Sequence, residues 1–426
     1  MSPITEKDWM DIAQYFYLTD ERLQRFSNGF TMAVESALAG RDSSLRALKS
    51  YLPLPTGEEA GAYIALDFGG TNVRASRIRL LGNHCYIVEK KVSRPLKREG
   101  SYDYLSHDTT AVQLFDFIAA LVGEAAGGNK PYKLGHTFSF AVSQQQVRDA
   151  RLLQWSKEIA VAGVEGEEVN ELLRLALRRG GLDKIEPVAL LNDTTAVLLA
   201  SSYQHGKSQL AVICGTGFNI CYYEPSQQMI LSLEAGNYTG AEQTIWDVRV
   251  DAESRRPGCH QLEKMVGGAY LNNVFRNIAM TYFNTTEIPF FTTQDMNGII
   301  MTENMKDVRL RMGRMWKRLV PPEDVRPLRN MGAAVFVRAA QLSGAACFGV
   351  LRHLYPDGDI PRQTLAVEGS VLEHVRGGLL MMEDALRACQ SGYGKSRSQS
   401  IPAEPSVIKD GPSVGAAIAA AMSSAT

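Results

Sequence analysis

Asp193 stands in the stretch LLNDTTAVLLASSY, residues 190–203, between two apolar runs. Before it, PVALL is short, apolar and bounded by Pro187, the pattern of a buried strand. After it, Val197, Leu198, Leu199 and Ala200 continue as a helical block. A carboxylate at the carboxyl end of a strand and the mouth of a helix has two chemical uses. It can cap the helix, worth about 1 kcal/mol. It can also act as a general base at the edge of an α/β sheet, where ligands bind. The two roles are compatible.

Two further stretches carry phosphate chemistry. LDFGGTN (66–72) and ICGTGFN (213–219) each read as an apolar strand, a glycine-rich turn with Thr, and a new strand. Glycine lets backbone N–H groups approach a phosphate closely, and consecutive amides form an anion-binding nest. Gly69, Gly70, Thr71 and Asn72 supply that chemistry once; Gly215, Thr216 and Gly217 supply it again. A carboxylate beside such a cradle repels phosphate unless a cation lies between them, so Asp67 points to Mg²⁺ held through water. The repetition fits two related α/β domains that face each other.

Isolated polar residues form a third set: Ser143 in TFSFAVSQ, Ser156 and Lys157 in LLQWSKEI, then Asn219, Glu234 and Glu263. Amides and carboxylates suit a polyol, whose hydroxyls both donate and accept. Taken singly, a Glu is usually a surface residue. GYGKS (392–396) imitates the end of a P-loop, but the glycine the full pattern needs at 389 is Cys389, so it reads as a solvent loop. The basic run from Lys306 to Arg318 reads as a solvated helix face.

The elements that must carry these residues follow from periodicity. Apolar spacing of three or four predicts helices over about 8–50, and PLPTGEEAG (53–61) is a turn-rich connector. AYIALD, NVRASRIRLL and HCYIVEKKV predict three successive strands. AVQLFDFIAALVGEAAG predicts a helix, KLGHTFSFAV a strand, and EGEEVNELLRLALRRGG a helix closed by Gly180 and Gly181. GCHQLEKMVGGAYLNNVFRNIAMTYF is helical for most of its length, as is 331–355. SVIKDGPSVGAAIAAAM passes from strand through a glycine turn into a helix.

With 426 residues, two or three domains are expected. The charges balance at −1, from 45 basic and 46 acidic residues, which gives no electrostatic reason for a nucleic-acid or membrane partner. Six scattered cysteines without a C-x-x-C pair argue against a zinc site or disulfide framework and fit a reducing compartment. The N-terminus lacks the apolar core of a signal peptide and no uninterrupted apolar run reaches 18 residues, so a cytoplasmic location is expected.

Taken together, LDFGGTNVR, FSFAVSQ with LLQWSKEI, LLNDTTA, GTGFN, DAESRRPGCHQLEKMVGGAYL, VEGSVLEH and KDGPSVGAA resemble the ordered motifs of eukaryotic-type hexokinases, in the actin-like ATPase superfamily. The likeness runs from about residue 60 to the C-terminus. It implies an α/β fold of two actin-like (ribonuclease-H-like) domains, mixed sheets flanked by helices, with an active-site cleft between them. The expected division is 1–60 as a helical part of the large domain, 61–192 as a small domain closed by a C-terminal helix 413–426, and 193–412 as the large domain. It implies that the sugar meets Ser143, Ser156, Lys157, Asn192, Asp193, Asn219, Glu234 and Glu263. ATP would meet Asp67 through Mg²⁺, Gly69, Gly70, Thr71, Asn72, Arg74, Gly215, Thr216, Gly217, Gly369, Ser370, Gly411 and Ser413. Ala141, Glu368, Lys409 and Pro412 depart from the family pattern.

The activity implied is phosphorylation of a hexose, D-glucose foremost, at its 6-hydroxyl by Mg·ATP, with Asp193 as base and closure on sugar excluding water. A sugar-sensing regulator with weak catalysis is the alternative. The residues leave oligomeric state open.

Overall fold

The computed structural model describes residues 12–155, 159–391, 393 and 403–424. In chain order its principal elements begin with helix α1 (Asp20–Leu38), then strands β1 (Ala60–Phe68), β2 (Asn72–Gly82) and β3 (Cys85–Pro95), and helix α2 (Ala111–Ala126). Strands β4 (Tyr132–Phe138), β5 (Ala141–Gln146) and β6 (Asp149–Gln154) precede helix α3 (Val169–Arg179), strand β7 (Ile185–Leu191) and helix α4 (Asp193–His205). Strands β8 (Leu210–Cys214), β9 (Phe218–Glu224) and β10 (Met229–Ser232) lead to helices α5 (Ile245–Glu253), α6 (Gln261–Val266), α7 (Gly268–Tyr282), α8 (Met305–Trp316) and α9 (Pro322–Leu354). Strand β11 (Gln363–Glu368), helices α10 (Ser370–Glu373) and α11 (Gly378–Ser391), strand β12 (Ala403–Val407) and helix α12 (Gly411–Met422) complete the order.

The chain forms two compact units: Met1–Ala47 with Val212–Ile220 and Leu233–Val407, and Leu48–Ala211 with Cys221–Ser232 and Ile408–Thr426. The sequence expectation divided the chain at 60/61 and 192/193. The compact units divide at 47/48 and 211/212, because α4 begins directly on the end of β7 and stays with that unit.

In the second unit a five-stranded mixed sheet runs β7-β4-β1-β2-β3. β1, β2 and β3 form the antiparallel meander expected from their alternating patterns, and Phe68 pairs with Val73 across the first turn. β1 and β7 flank β4 in parallel, with Asp67 opposite Thr137 and His136 opposite Leu190. α2 begins at a capping box, in which Thr110 Oγ1 accepts from Gln113 N–H and the Gln113 side chain accepts from Thr110 N–H. α12 is alanine-rich because it packs where larger side chains do not fit. A Cβ on Gly135 would lie 1.8 Å from the Ala416 carbonyl oxygen, and one on Gly415 would lie 1.9 Å from that of Ala196.

KLGHTFSFAV was expected as one strand. It breaks after Phe138 and resumes at Ala141. The break turns Phe140 into an aromatic cluster, 4.8 Å from Phe138 and 4.9 Å from Trp155 between ring centroids. Burying these rings outweighs one more pair of ladder bonds.

The first unit contains β11 and β12, parallel neighbours in a six-stranded sheet whose order continues from β11 through β8 to β9. Its core is helical: α9, with 20 buried residues, packs on α1 and α11. By length and composition α9 could cross a membrane, but 89% of its apolar window is buried here, as in a core helix. The expected helix over 258–283 is two, broken at Gly267, whose ψ of 137° is extended.

Candidate functional site

Each unit carries its own group of polar residues beside a glycine turn. In the second unit, β7 delivers the chain to Asn192, and the capping expected of Asp193 is done by its neighbour. Asn192 Oδ1 accepts from Thr194 N–H at 2.9 Å. Asp193 is the first helical residue, where the positive end of the helix dipole favours a carboxylate. Its Oδ1 accepts from Thr194 N–H at 2.7 Å, and its Oδ2 accepts from Ser139 Oγ at 2.7 Å. The group is half-buried. It is therefore fixed in orientation without being sealed from a substrate.

Asp67 lies at the end of β1, 6% exposed. Arg74 donates from Nη1 to its Oδ2 at 2.8 Å, and Thr137 donates from Oγ1 to its Oδ1 at 3.2 Å. Burial pushes the Asp67 carboxyl above the usual range and the nearby Asp193 carboxylate adds to the push, while Arg74 and Thr137 pull it down. Gly69 opens the turn, its N–H donating to the Asn72 carbonyl at 3.1 Å. Thr71 is exposed and Gly70 and Asn72 are half-buried, so the turn is accessible to an anion.

Asp67 tests the expected cation. Among the described residues no cluster of three or more His, Cys, Asp or Glu is placed to hold a metal. A single buried carboxylate with a second one in electrostatic reach suits Mg²⁺, which keeps several waters and takes its remaining ligands from substrate phosphates. The residues fit a cation bound through water with its nucleotide and do not fit a protein-caged ion.

The first unit holds the second turn. Gly215 N–H donates to the Gly217 carbonyl at 3.1 Å. The break at Gly267 frees the first amides of α7, and Gly268 and Ala269 donate to the carbonyls of Gly215 and Thr216 at 2.7 and 3.0 Å. Gly369, at φ +117°, packs so closely that a Cβ there would come 2.4 Å from the Cys214 carbonyl. Ser370 follows as the first residue of α10. Glu263, on α6, accepts from Phe218 N–H at 3.0 Å, and a Cβ on Gly217 would lie 2.6 Å from its Oε2. Asn219 Oδ1 accepts from Ala235 N–H at 3.1 Å, and its Nδ2 donates to Glu234 Oε1 at 3.4 Å. Glu234 adopts the left-handed region at φ +50°, a strained conformation that persists where neighbours impose it. Asn219, Glu234 and Glu263 are thus tied to one turn.

The remaining expected residues fall as follows. Gly411 and Ser413 are buried in the first turn of α12, behind an Asp410–Lys91 ion pair. Ser143 is exposed on β5, opposite Arg151 in the β5–β6 hairpin. The hydroxyl brought to Asp193 is that of Ser139, which sequence reasoning passed over. Thr137, the second support of Asp67, was passed over as well. Both stand in the stretch TFSF, so the signal was a polar residue among aromatics at a strand end. Ser156 and Lys157 lie outside the described residues, as do most of the residues of GYGKS.

Two family models, both described as hexokinase, match residues 8–203 and 209–422. Hexokinase-2 of Oryza sativa subsp. japonica is 30% identical, covering 94% of this chain and 88% of its own. A hexokinase crystal structure superposes with a TM-score of 0.83 at 28% identity, covering 98% of this chain and all of that one. The hexokinase of Schistosoma mansoni complexed with glucose gives 0.82 at 25% identity, covering 97% and 98%. The fold is that of two-unit α/β sugar kinases. This chain belongs to the hexokinase family, enzymes that phosphorylate hexoses with ATP, generally with Mg²⁺.

Proposed function

We infer that this protein transfers the γ-phosphoryl group of Mg·ATP to the 6-hydroxyl of D-glucose, with Asp193 as general base. The observation that carries this reading is the pair of contacts on Asp193. Ser139 and Thr194 each hold one carboxylate oxygen, so the group is oriented toward an incoming hydroxyl. Phosphoryl transfer asks little covalent help of the protein, mostly alignment and charge neutralisation. Asp193 accepts the hydroxyl proton as the new P–O bond forms, and Arg74 and the amides of the two glycine turns stabilise phosphate charge. Glu234, Glu263 and Asn219 bind sugar hydroxyls. Mg²⁺, when bound with ATP, neutralises phosphate charge next to Asp67 and shields the nucleotide from that carboxylate.

The glucose complexed with the Schistosoma mansoni hexokinase supports the choice of sugar. Closure on sugar is part of the same reading, because water would otherwise compete for ATP. Asp193→Ala tests the base: turnover should fall by about 10²–10⁴-fold while glucose binding persists. Near-normal turnover rejects the assignment. Small-angle scattering without compaction on adding glucose rejects closure.

A further inference from the structure

We propose that the first unit carries an effector site for a small organic acid with one carboxylate and an apolar body. The site is a cavity of about 320 Å³, at the lower end of the about 300–1,000 Å³ of typical ligand pockets. Its wall is apolar: Leu18, Phe26, Tyr238, Met265 and Leu342. Its polar groups are Arg22, Arg25, Glu242 and Arg338.

The charges in and behind this wall do not cancel. Arg22 and Arg25 share Glu242 at 3.1 and 3.0 Å. Arg338 is 1% exposed and makes a bidentate pair with Asp247 at 2.6 and 2.7 Å. The lining itself carries three guanidinium groups and one carboxylate, and Asp247 behind it neutralises Arg338. Donors are left over as well. Buried Arg338 Nε has no hydrogen-bond partner among the described residues. Arg25 is 71% exposed and gives Glu242 a single Nη1 bond, so its other N–H groups face solvent. A buried donor without a partner costs about 1–3 kcal/mol. One carboxylate matches the positive charge and the unused N–H groups of Arg25, and an aromatic or aliphatic body matches the walls.

The cavity adjoins the polar set of the same unit through two short elements. Met265 lines it from α6, which also carries Glu263, and Tyr238 caps the 3-10 turn Ala235–Asn237 that follows Glu234. An occupant that presses on Met265 and Tyr238 biases the positions of Glu263 and Glu234. This coupling rests on the assignment of those two glutamates to the sugar; the binding itself does not.

Calorimetric titration of the full chain with benzoate and 4-hydroxyphenylacetate tests the site, with benzamide as the uncharged counterpart of benzoate. Both acids should bind, benzamide about tenfold or more weaker, and Arg25→Ala should weaken benzoate about tenfold, the loss of one charge-assisted bond. Leu342→Trp, which fills the cavity, should abolish binding. Absence of binding by both acids, equal binding of benzamide, or affinity unmoved by both substitutions overturns the site. Saturating benzoate should change the KM for hexose severalfold with kcat nearly constant. Binding that leaves KM unchanged overturns the effector role. Absence of hexose phosphorylation would strike the assigned activity and leave the titration standing.

Discussion

Ser139 donates its hydroxyl proton to Asp193 Oδ2 at 2.7 Å across 54 residues of sequence. The contact exists because β4 stops at Phe138, which leaves Ser139 in the break before β5, and because the helix carrying Asp193 starts as β7 ends. Ser139→Ala leaves one carboxylate oxygen of Asp193 without that donor. We expect kcat to fall about tenfold, the value of one hydrogen bond to a charged group, with the fold intact. Steady-state kinetics and circular dichroism check both halves.

Arg74 is the cation paired with buried Asp67. Arg74→Met removes the strongest pull on that carboxyl while burial and Asp193 still push it up. The acidic limb of kcat/KM for Mg·ATP should then move to higher pH, because Asp67 stays protonated further up the scale. A pH–rate series on the wild type and variant measures the displacement.

His136 is fully buried, and burial lowers its imidazole to about 3 from the ordinary 6.5. The unfolded chain takes up a proton below pH 6.5, whereas the folded chain does not until about 3. The stabilising effect of a neutral His136 is complete above 6.5 and is lost as pH falls toward 3. The slope of stability from this group should approach about 1.4 kcal/mol per pH unit between about pH 4 and 6. Urea unfolding at several pH values should show the wild-type slope reduced by that amount in His136→Gln.

Gly135 and Gly415 allow α12 to sit against β4 and α4. Either glycine changed to alanine places a methyl group within 2 Å of a carbonyl oxygen, at 1.8 or 1.9 Å. The helix must move, and loss of about 3 kcal/mol is expected from overpacking of this kind. Chemical denaturation measures the loss. A milder case is Gly217→Ala, which pushes on Glu263 Oε2 and should raise the sugar KM more than it lowers kcat.

Much of the structure was legible along the chain, because its causes are local. The strand–glycine–strand units at 66–72 and 213–219, the helix after Asp193 and the strand before it follow from apolar periodicity and from the few residues able to make tight turns. The ordered motifs also carried the family, which the matched models and the superposed structures bear out. Tertiary structure decided what depends on distant partners. It gave the cap to Asn192 and left Asp193 to Ser139. It brought Thr137 to Asp67, and broke the helix at Gly267 so that two amides could meet the turn at Gly215. It also left Ser143 exposed on a hairpin. A side chain's chemistry is written in its type, but its partner is chosen by where the backbone must bend to bury its apolar neighbours, and that is settled only once the whole core has packed.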